Sequence, residues 1–225
     1  MPTVLLVRHG QASFGGEDYD VLSEVGHRQA EIVAASLADR GYKADRLICG
    51  TLSRQRDTAA AFTALGAPDL EIEPRWDEYD SEEILRHHSD TAASLEHRDD
   101  AEPLTNRSFQ TILEAAQAQW IEHADRSPTS QLWPAFSAAG TAAFHDLAAD
   151  LNSGETAIVV TSGGTIAALL CALWEAPPTL FPALNRVTVN ASVTKLAVGS
   201  TGTNVISFND HSHLESVDRA LVTYR

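Results

Sequence analysis

Three short polar motifs each follow an apolar run that is typical of a buried strand. The motifs and the runs before them are Arg8-His9-Gly10 after Val4 to Val7, Arg54 after Arg46 to Cys49, and Ser162-Gly163-Gly164 after Thr156 to Thr161. An imidazole can attack phosphorus, and guanidinium groups bind pairs of phosphoryl oxygens through bidentate hydrogen bonds. Because the carboxyl ends of parallel strands meet at one edge of a sheet, we expect the three motifs to converge on one pocket. These residue types favour phosphoryl chemistry with His9 as the reacting group.

The spacing of apolar residues predicts the elements that position these motifs. Helical spacing runs from Leu22 to Arg40 and from Ser53 to Leu65, in each case after a strand. Two further strands are predicted at Ser192 to Val198 and at Asn204 to Phe208. This alternation of strands and helices predicts an α/β fold, a three-layer sandwich with a mainly parallel central sheet.

The stretch 79–140 differs from the rest of the chain because it has clustered charge and no strand signal. A helix is predicted at Arg107 to His123, and another from Trp133 to Leu151 with Pro134 in its first turn. We interpret the stretch as a helical cap inserted between strands of the sheet. The length of 225 residues then predicts a single domain, residues 1–225, with the cap insertion at about 79–140.

The composition excludes several classes of function. Acidic residues outnumber basic ones by 31 to 16, and the net charge of −15 repels nucleic acids and anionic membrane surfaces. The longest apolar run, Ile166 to Trp174, is too short to span a bilayer, and the first residues lack the features of an export signal. Cys49 and Cys171 lie in apolar runs typical of buried, reduced thiols. We therefore expect a cytoplasmic protein with no nucleic-acid or membrane partner.

The residues around these motifs resemble the histidine phosphatase superfamily, in its phosphoglycerate-mutase-like branch. Besides Arg8-His9-Gly10, the resemblance rests on Leu22-Ser23-x-x-Gly26-x-x-Gln29-Ala30 and on Thr51-Leu52-Ser53-Arg54-x-x-x-Thr58-Ala59. It extends from Leu5 to about Leu214. The resemblance implies that His9 is the nucleophile, that it forms a phosphohistidine, and that Arg8 and Arg54 bind the phosphoryl oxygens.

A phosphatase also needs an acid for the leaving alkoxide and a base for the attacking water, and one carboxyl group can serve as both. The resemblance places this group at Glu78, two residues after the large apolar Trp76. Asp77 and Asp80 remain alternatives, because the glycine and the Trp-Glu-Gly sequence that follow the acid in many relatives are missing here. A solvated acidic turn is the other interpretation of this segment.

The sequence departs from the family at two positions of the expected phosphate site. Ser162 stands where relatives with a second active-site histidine carry it, so we expect phosphate to contact its hydroxyl and a helix N-terminus beginning at Gly163. Losing a cationic donor is expected to slow turnover by about 10² to 10³, and Ser162→His is expected to reverse this loss if the imidazole fits. In the loop after His9, we expect Ser13 or backbone N–H groups to replace the threonine and asparagine of relatives.

The remaining histidines offer two further hypotheses. Asp210-His211-Ser212-His213 combines metal-ligand types at close spacing, but such a C-terminal loop is more often solvated, and we predict no metal site. His87, His88 and His97 fall in the predicted cap, which by the resemblance overhangs the pocket. One of them can contact the substrate or replace the missing cation.

The leading hypothesis is a cofactor-independent phosphomonoester phosphatase that acts on a small phosphorylated metabolite through phospho-His9. The first alternative is a non-catalytic or nearly inactive phospho-ligand-binding protein on the same fold, although a binder has no need of an in-line nucleophile. The second is a phosphotransferase of the phosphoglycerate-mutase type, which the missing residues around the acid disfavour. The sequence leaves open the physiological substrate and the oligomeric state, for which a homodimer is one option.

Overall fold

Four parallel strands form one part of the central sheet, and three of them end at the motifs. These strands are β1 (Thr3–Arg8), β2 (Arg46–Cys49), β3 (Leu70–Ile72) and β4 (Thr156–Thr161). They lie in the order β3-β2-β4-β1, and the last pair of the β1–β4 register joins Arg8 to Thr161.

The structure is a computed structural model that describes residues 1–13, 20–88, 106–124 and 128–224. His97 and residues 14–16 of the loop after Ser13 lie outside these ranges.

Two antiparallel strands complete the sheet beside β1. They are β5 (Val193–Gly199), which pairs with β1, and β6 (Gly202–Asp210), which pairs with β5. The full order is β3-β2-β4-β1-β5-β6. Both strands were expected from the sequence, whereas the short β3 was not.

Eight α-helices lie in the described part of the chain. They are α1 (Glu24–Asp39), α2 (Ser53–Ala64), α3 (Ser81–His88), α4 (Asn106–Glu122), α5 (Trp133–Asp150), α6 (Gly163–Leu173), α7 (Phe181–Val187) and α8 (Ser212–Glu215). Turns of 3₁₀ helix lie at Pro74–Trp76, Pro178–Leu180 and Arg219–Leu221. None of these helices is long and apolar enough to cross a membrane.

The alternating side chains of β1 enter two separate cores. Leu5 and Val7 pack with apolar residues of α1, α2 and α8, whereas Val4 and Leu6 pack with apolar residues of α5 and α6. A strand that is buried on both faces has this continuous apolar sequence because helices cover both sides of the sheet. The α/β fold with its mainly parallel central sheet, predicted from the sequence, is therefore confirmed.

An aromatic cluster joins the 79–140 stretch to helices α6 and α7. Its largest members are Tyr79, Trp120, Trp133, Phe136 and Phe181, and the rings of Trp133 and Phe181 are 4.7 Å apart. Helices α3 and α4 pack against each other beside it. The described residues of the stretch contain helices and no strand. The division into one domain with a cap insertion stays a prediction.

The start of α1 packs closely on the loop that carries His9. Ser23 is the N-cap of α1, and its side chain accepts a hydrogen bond of 3.0 Å from the backbone N–H of Gly26. A Cβ on Gly26 would overlap the backbone carbonyl of Gln11, so only glycine permits this approach. Ser23 therefore caps α1, and the glycine three residues later lets this helix pack against the loop that follows β1.

Candidate active site

His9 follows β1 directly, and hydrogen bonds fix both its backbone and its ring. Its backbone N–H donates to the carbonyl of Thr161 at 2.8 Å. Its Nδ1 lies 2.7 Å from the carbonyl of Gly10, which makes Nδ1 the protonated nitrogen. Nε2 lies 3.2 Å from Nε of Arg54, from which it accepts a hydrogen bond. The tautomer is thus the one whose Nε2 lone pair is directed towards the arginine.

Arg54 lies in the first turn of α2 and is held by a carboxylate that the sequence did not single out. Its Nη1 donates to Oδ1 of Asp20 at 2.6 Å, and Oδ2 of Asp20 accepts from the backbone N–H of Ser53 at 2.7 Å. Asp20 therefore fixes the guanidinium and satisfies a backbone group at the start of α2. Thr58, one turn further along, accepts from the N–H of Gly10 at 3.0 Å and so ties the His9 loop to α2.

Arg8 ends β1, and its side chain reaches across to the start of α6. Its Nη1 donates to the carbonyls of Thr188 and, at 2.8 Å, of Tyr224. A Cβ placed on Gly163 would lie 3.3 Å from Nε of Arg8 and 2.9 Å from Oδ1 of Asn185. The first residue of α6, Gly163, therefore has no side chain at the point where the helix backbone faces the guanidinium of Arg8. Arg8, His9 and Arg54 are only 7%, 5% and 9% exposed.

Glu78 lies at the same helix end as Arg8. Its Oε2 accepts a hydrogen bond of 3.0 Å from the backbone N–H of Gly164, in the first turn of α6. A Cβ on Gly164 would overlap the Glu78 carboxylate and the ring of Tyr79, so this glycine lets both side chains approach the helix start. The positive end of a helix dipole favours an anion at this place.

The two competing carboxylates have other partners. Asp77 accepts from the backbone N–H of Thr51 at 2.5 Å and from its hydroxyl at 2.6 Å, so both carboxylate oxygens are bonded to one residue. Asp80 is exposed and accepts from the N–H of Glu83 at 2.9 Å, at the start of α3. Of the three acids, Glu78 is the one whose carboxylate meets α6. This arrangement favours Glu78 over Asp77 and Asp80 as the acid.

Ser162 precedes α6 and is fully buried. Its Oγ accepts a hydrogen bond of 2.9 Å from Nε2 of Gln55, a residue that sequence reasoning missed. Ser162 therefore links α6 to the helix that carries Arg54. The backbone N–H of Ser13 donates to the carbonyl of Val21 at 2.8 Å, so that N–H is already used. Phosphate binding by Ser162, Gly163 and Ser13 stays a prediction, and for Ser13 it rests on the hydroxyl.

Two other histidines of the described residues, His213 and His88, are buried outside this group. His213 was expected in a solvated loop, and this was wrong: it lies in α8 and is buried, with Nε2 2.9 Å from the carbonyl of Ala191. Burial lowers its pKa. The described residues contain no group of three or more His, Cys, Asp or Glu side chains that could hold a metal ion. The ring of His88 stacks on that of His123. Burial lowers the pKa of His88 and so disfavours its charged form, which argues against His88 as a cation in the place of the second active-site histidine of relatives.

Cys49 ends β2 close to this group but is an unreactive thiol. It is free and fully buried, and burial raises its pKa to about 11. A thiol in this state is protonated near neutral pH and is a poor nucleophile. Cys49 is therefore not an alternative to His9 as the predicted nucleophile.

The sequence profile of the histidine phosphatase superfamily (branch 1) matches residues 4–211. The chain belongs to this superfamily. The match covers nearly the whole chain and includes all three motifs that follow strands, which confirms the family predicted from the sequence. Among curated protein sequences, none matches significantly.

Several solved structures share the fold of this member of the superfamily. A mutant phosphoserine phosphatase from Entamoeba histolytica, in complex with phosphoserine, superposes with a TM-score of 0.68 at 19% identity over 95% of this chain and all of its own. YhfR of Bacillus stearothermophilus gives 0.68 at 18% over 95% and 100%. A mycobacterial glucosyl-3-phosphoglycerate phosphatase gives 0.63 at 23% over 92% and 98%. Likeness at these identities establishes the common fold.

Proposed function

We propose that the protein is a phosphomonoester phosphatase that works through a phosphohistidine on His9. The proposal is carried by the buried contact of 3.2 Å between Nε2 of His9 and Nε of Arg54. A neutral imidazole whose lone pair meets a guanidinium is suited to attack a phosphoryl group that the guanidinium binds. Family membership supports the hydrolase class.

In the first step, Arg8, Arg54 and the N-terminus of α6 bind the phosphoryl oxygens of the substrate. Nε2 of His9 attacks phosphorus in line, and the bond from phosphorus to the ester oxygen breaks. Glu78, which enters this step in its protonated form, gives its proton to the leaving alkoxide, so the alcohol departs uncharged. The charge that builds up on the equatorial oxygens faces donors that are already in place.

In the second step, water attacks the phosphohistidine from the side that the alcohol has left. Glu78, now ionised, takes a proton from this water, and the bond from phosphorus to Nε2 breaks. The products are inorganic phosphate and the original neutral tautomer of His9. Both steps use one carboxyl group, first as acid and then as base.

The substrate class that fits is a small phosphorylated metabolite. Arg8, His9 and Arg54 are buried, which suits a compact phosphoryl group, and the net charge of −15 disfavours a polyanion. The solved structures of a phosphoserine phosphatase and a glucosyl-3-phosphoglycerate phosphatase support the same class. Pure phospho-ligand binding is the competing proposal, favoured by the neutral Ser162 at the start of α6.

An arginine pair in α2 offers a matched test of this proposal. Arg54 contacts His9, whereas Arg56, two residues along, is exposed. We expect Arg54→Ala to lower kcat/KM for an aryl phosphate by about 10² to 10³, since one preorganised donor is lost. Arg56→Ala should leave it unchanged. The activity of both variants is measured by the release of inorganic phosphate. Equal effects of the two substitutions would contradict the role of Arg54, and no turnover by the unaltered protein would contradict a phosphatase.

A further inference from the structure

Gln55 lies against Ser162, the position at which the family resemblance places a second active-site histidine in relatives. It follows Arg54 in α2, and its side chain is fully buried. Its Nε2 donates to Oγ of Ser162 at 2.9 Å and to the backbone carbonyl of Trp76 at 3.0 Å. A carboxamide therefore occupies the space next to residue 162.

The other end of this carboxamide is not satisfied. Oε1 of Gln55 is buried without a hydrogen-bond donor in the described part of the chain. A buried acceptor without a donor is unfavourable, so packing alone would favour an apolar side chain of the same length. The two hydrogen bonds made by Nε2 are what distinguishes glutamine from such a side chain.

The carbonyl of Trp76 leads directly to the candidate acid, two residues further on. It also accepts a hydrogen bond of 2.6 Å from Thr161, and the carbonyl of Asp77 accepts one of 2.8 Å from Thr165. Three side chains thus fix the backbone before Glu78, and among these Gln55 is the one that comes from α2. Gln55 joins the helix that carries Arg54 to the segment that carries Glu78.

We propose that Gln55 is a positioning residue that takes the place of the second active-site histidine. Its carboxamide fills the volume that an imidazole at residue 162 would need. Its Nε2 fixes the Ser162 hydroxyl and the backbone that leads to Glu78. The consequence for activity rests on the proposed phosphatase function, whereas the spatial relation of residues 55 and 162 does not.

The proposal changes the expectation for Ser162→His. Ser162 has no exposed surface, and its Oγ is already in hydrogen-bond contact with Gln55. An imidazole extends further from the backbone than a hydroxyl, so it would collide with the carboxamide and overpack the site. Ser162→His alone should therefore lower both Tm and kcat, and a smaller residue at position 55 should be needed to admit the ring.

The test is a double-mutant cycle with four proteins: the unaltered chain, Gln55→Ala, Ser162→His, and the double variant. We expect the double variant to melt higher than Ser162→His alone and to have a kcat for an aryl phosphate at least about tenfold higher. Gln55→Met with Ser162→His is the matched control, because methionine keeps the volume of glutamine. This control should recover neither Tm nor kcat.

A pH profile separates positioning from simple packing. In the double variant the new imidazole is a cationic donor only below its pKa, near 6.5 for an unperturbed histidine. Its kcat should therefore fall as the pH rises through that value, whereas Gln55→Ala alone should lack this fall. If the double variant recovers Tm but its profile matches that of Gln55→Ala, the proposed replacement of the histidine is overturned.

Gln55→Met alone keeps the proposal testable if the histidine variants do not fold. It removes the donor while filling the space, so we expect Tm and KM to be retained and kcat to fall more for an alkyl than for an aryl phosphate. An unchanged ratio of the two kcat values would overturn the proposal. Additive Tm changes in a folded cycle would do the same. Coupled Tm changes in a protein without phosphatase activity would support the spatial relation of residues 55 and 162 and reject the proposed function.

Discussion

Replacing His9 with alanine is expected to abolish phosphohistidine formation and turnover together. The loss of turnover should be at least about 10⁴-fold, because removal of a nucleophile leaves only binding and electrostatic stabilisation. The ring of His9 contacts Arg54 and Gly10, and His9 is not a member of the two apolar cores, so its removal should leave the sheet and these cores in place. The measurement is release of inorganic phosphate from an aryl phosphate, with phosphoenzyme detected in parallel.

His27→Ala is the matched control for this variant. His27 lies on the exposed side of α1, and its removal should change neither measurement. Circular dichroism should show that both variants are folded. A folded His9→Ala protein that retains turnover would end the proposed mechanism, because no phosphoryl acceptor would then be needed at this position.

Replacing Glu78 with glutamine is expected to separate the two chemical steps. Turnover of an alkyl phosphate should fall by about 10² to 10⁴, since the poor leaving group needs the proton of a general acid. An aryl phosphate needs no such proton, so His9 should still be phosphorylated. Hydrolysis of the phosphohistidine should then be slow, because glutamine cannot act as a base. A stopped-flow trace should show a burst of about one phenolate per chain followed by a slow steady rate.

Asp80→Asn is the control for the carboxylate assignment. Asp80 is exposed and bonds the start of α3, whereas Glu78 bonds the start of α6. The control should keep both steps. A burst in Asp80→Asn and none in Glu78→Gln would transfer the role of the acid to Asp80.

Regular elements of this fold could be predicted because their signals are local. The apolar runs of β1 and β4 and the helical spacing of α1 and α2 are each contained in a short window, and the structure places these elements within a few residues of the expected limits. Strand β3 was missed because it has three residues and is largely exposed, so it carries no buried run. Helix α8 was read as a solvated loop because the burial of His213 depends on Ala191, which is distant in the sequence.

The candidate site was predictable where a motif follows a strand and was not where contacts join distant segments. Asp20 meets Arg54 across 34 residues, and Gln55 meets Ser162 across 107, so neither pair has a local pattern. The Gly163-Gly164 pair was recognised as a helix start. The close approach of Arg8 to the first of these glycines and of Glu78 to the second became visible only in three dimensions.

The most direct test of the central claim is to trap and locate the phosphoryl group on the enzyme. The Glu78→Gln protein is mixed with an aryl phosphate, quenched in alkali, digested and analysed by mass spectrometry. The proposed mechanism predicts about one phosphoryl group per chain, on the peptide that contains His9, lost on exposure to acid and absent from His9→Ala. An acid-stable phosphoryl group on Ser162, or full turnover by the unaltered protein with no phosphoenzyme at any time, would contradict it.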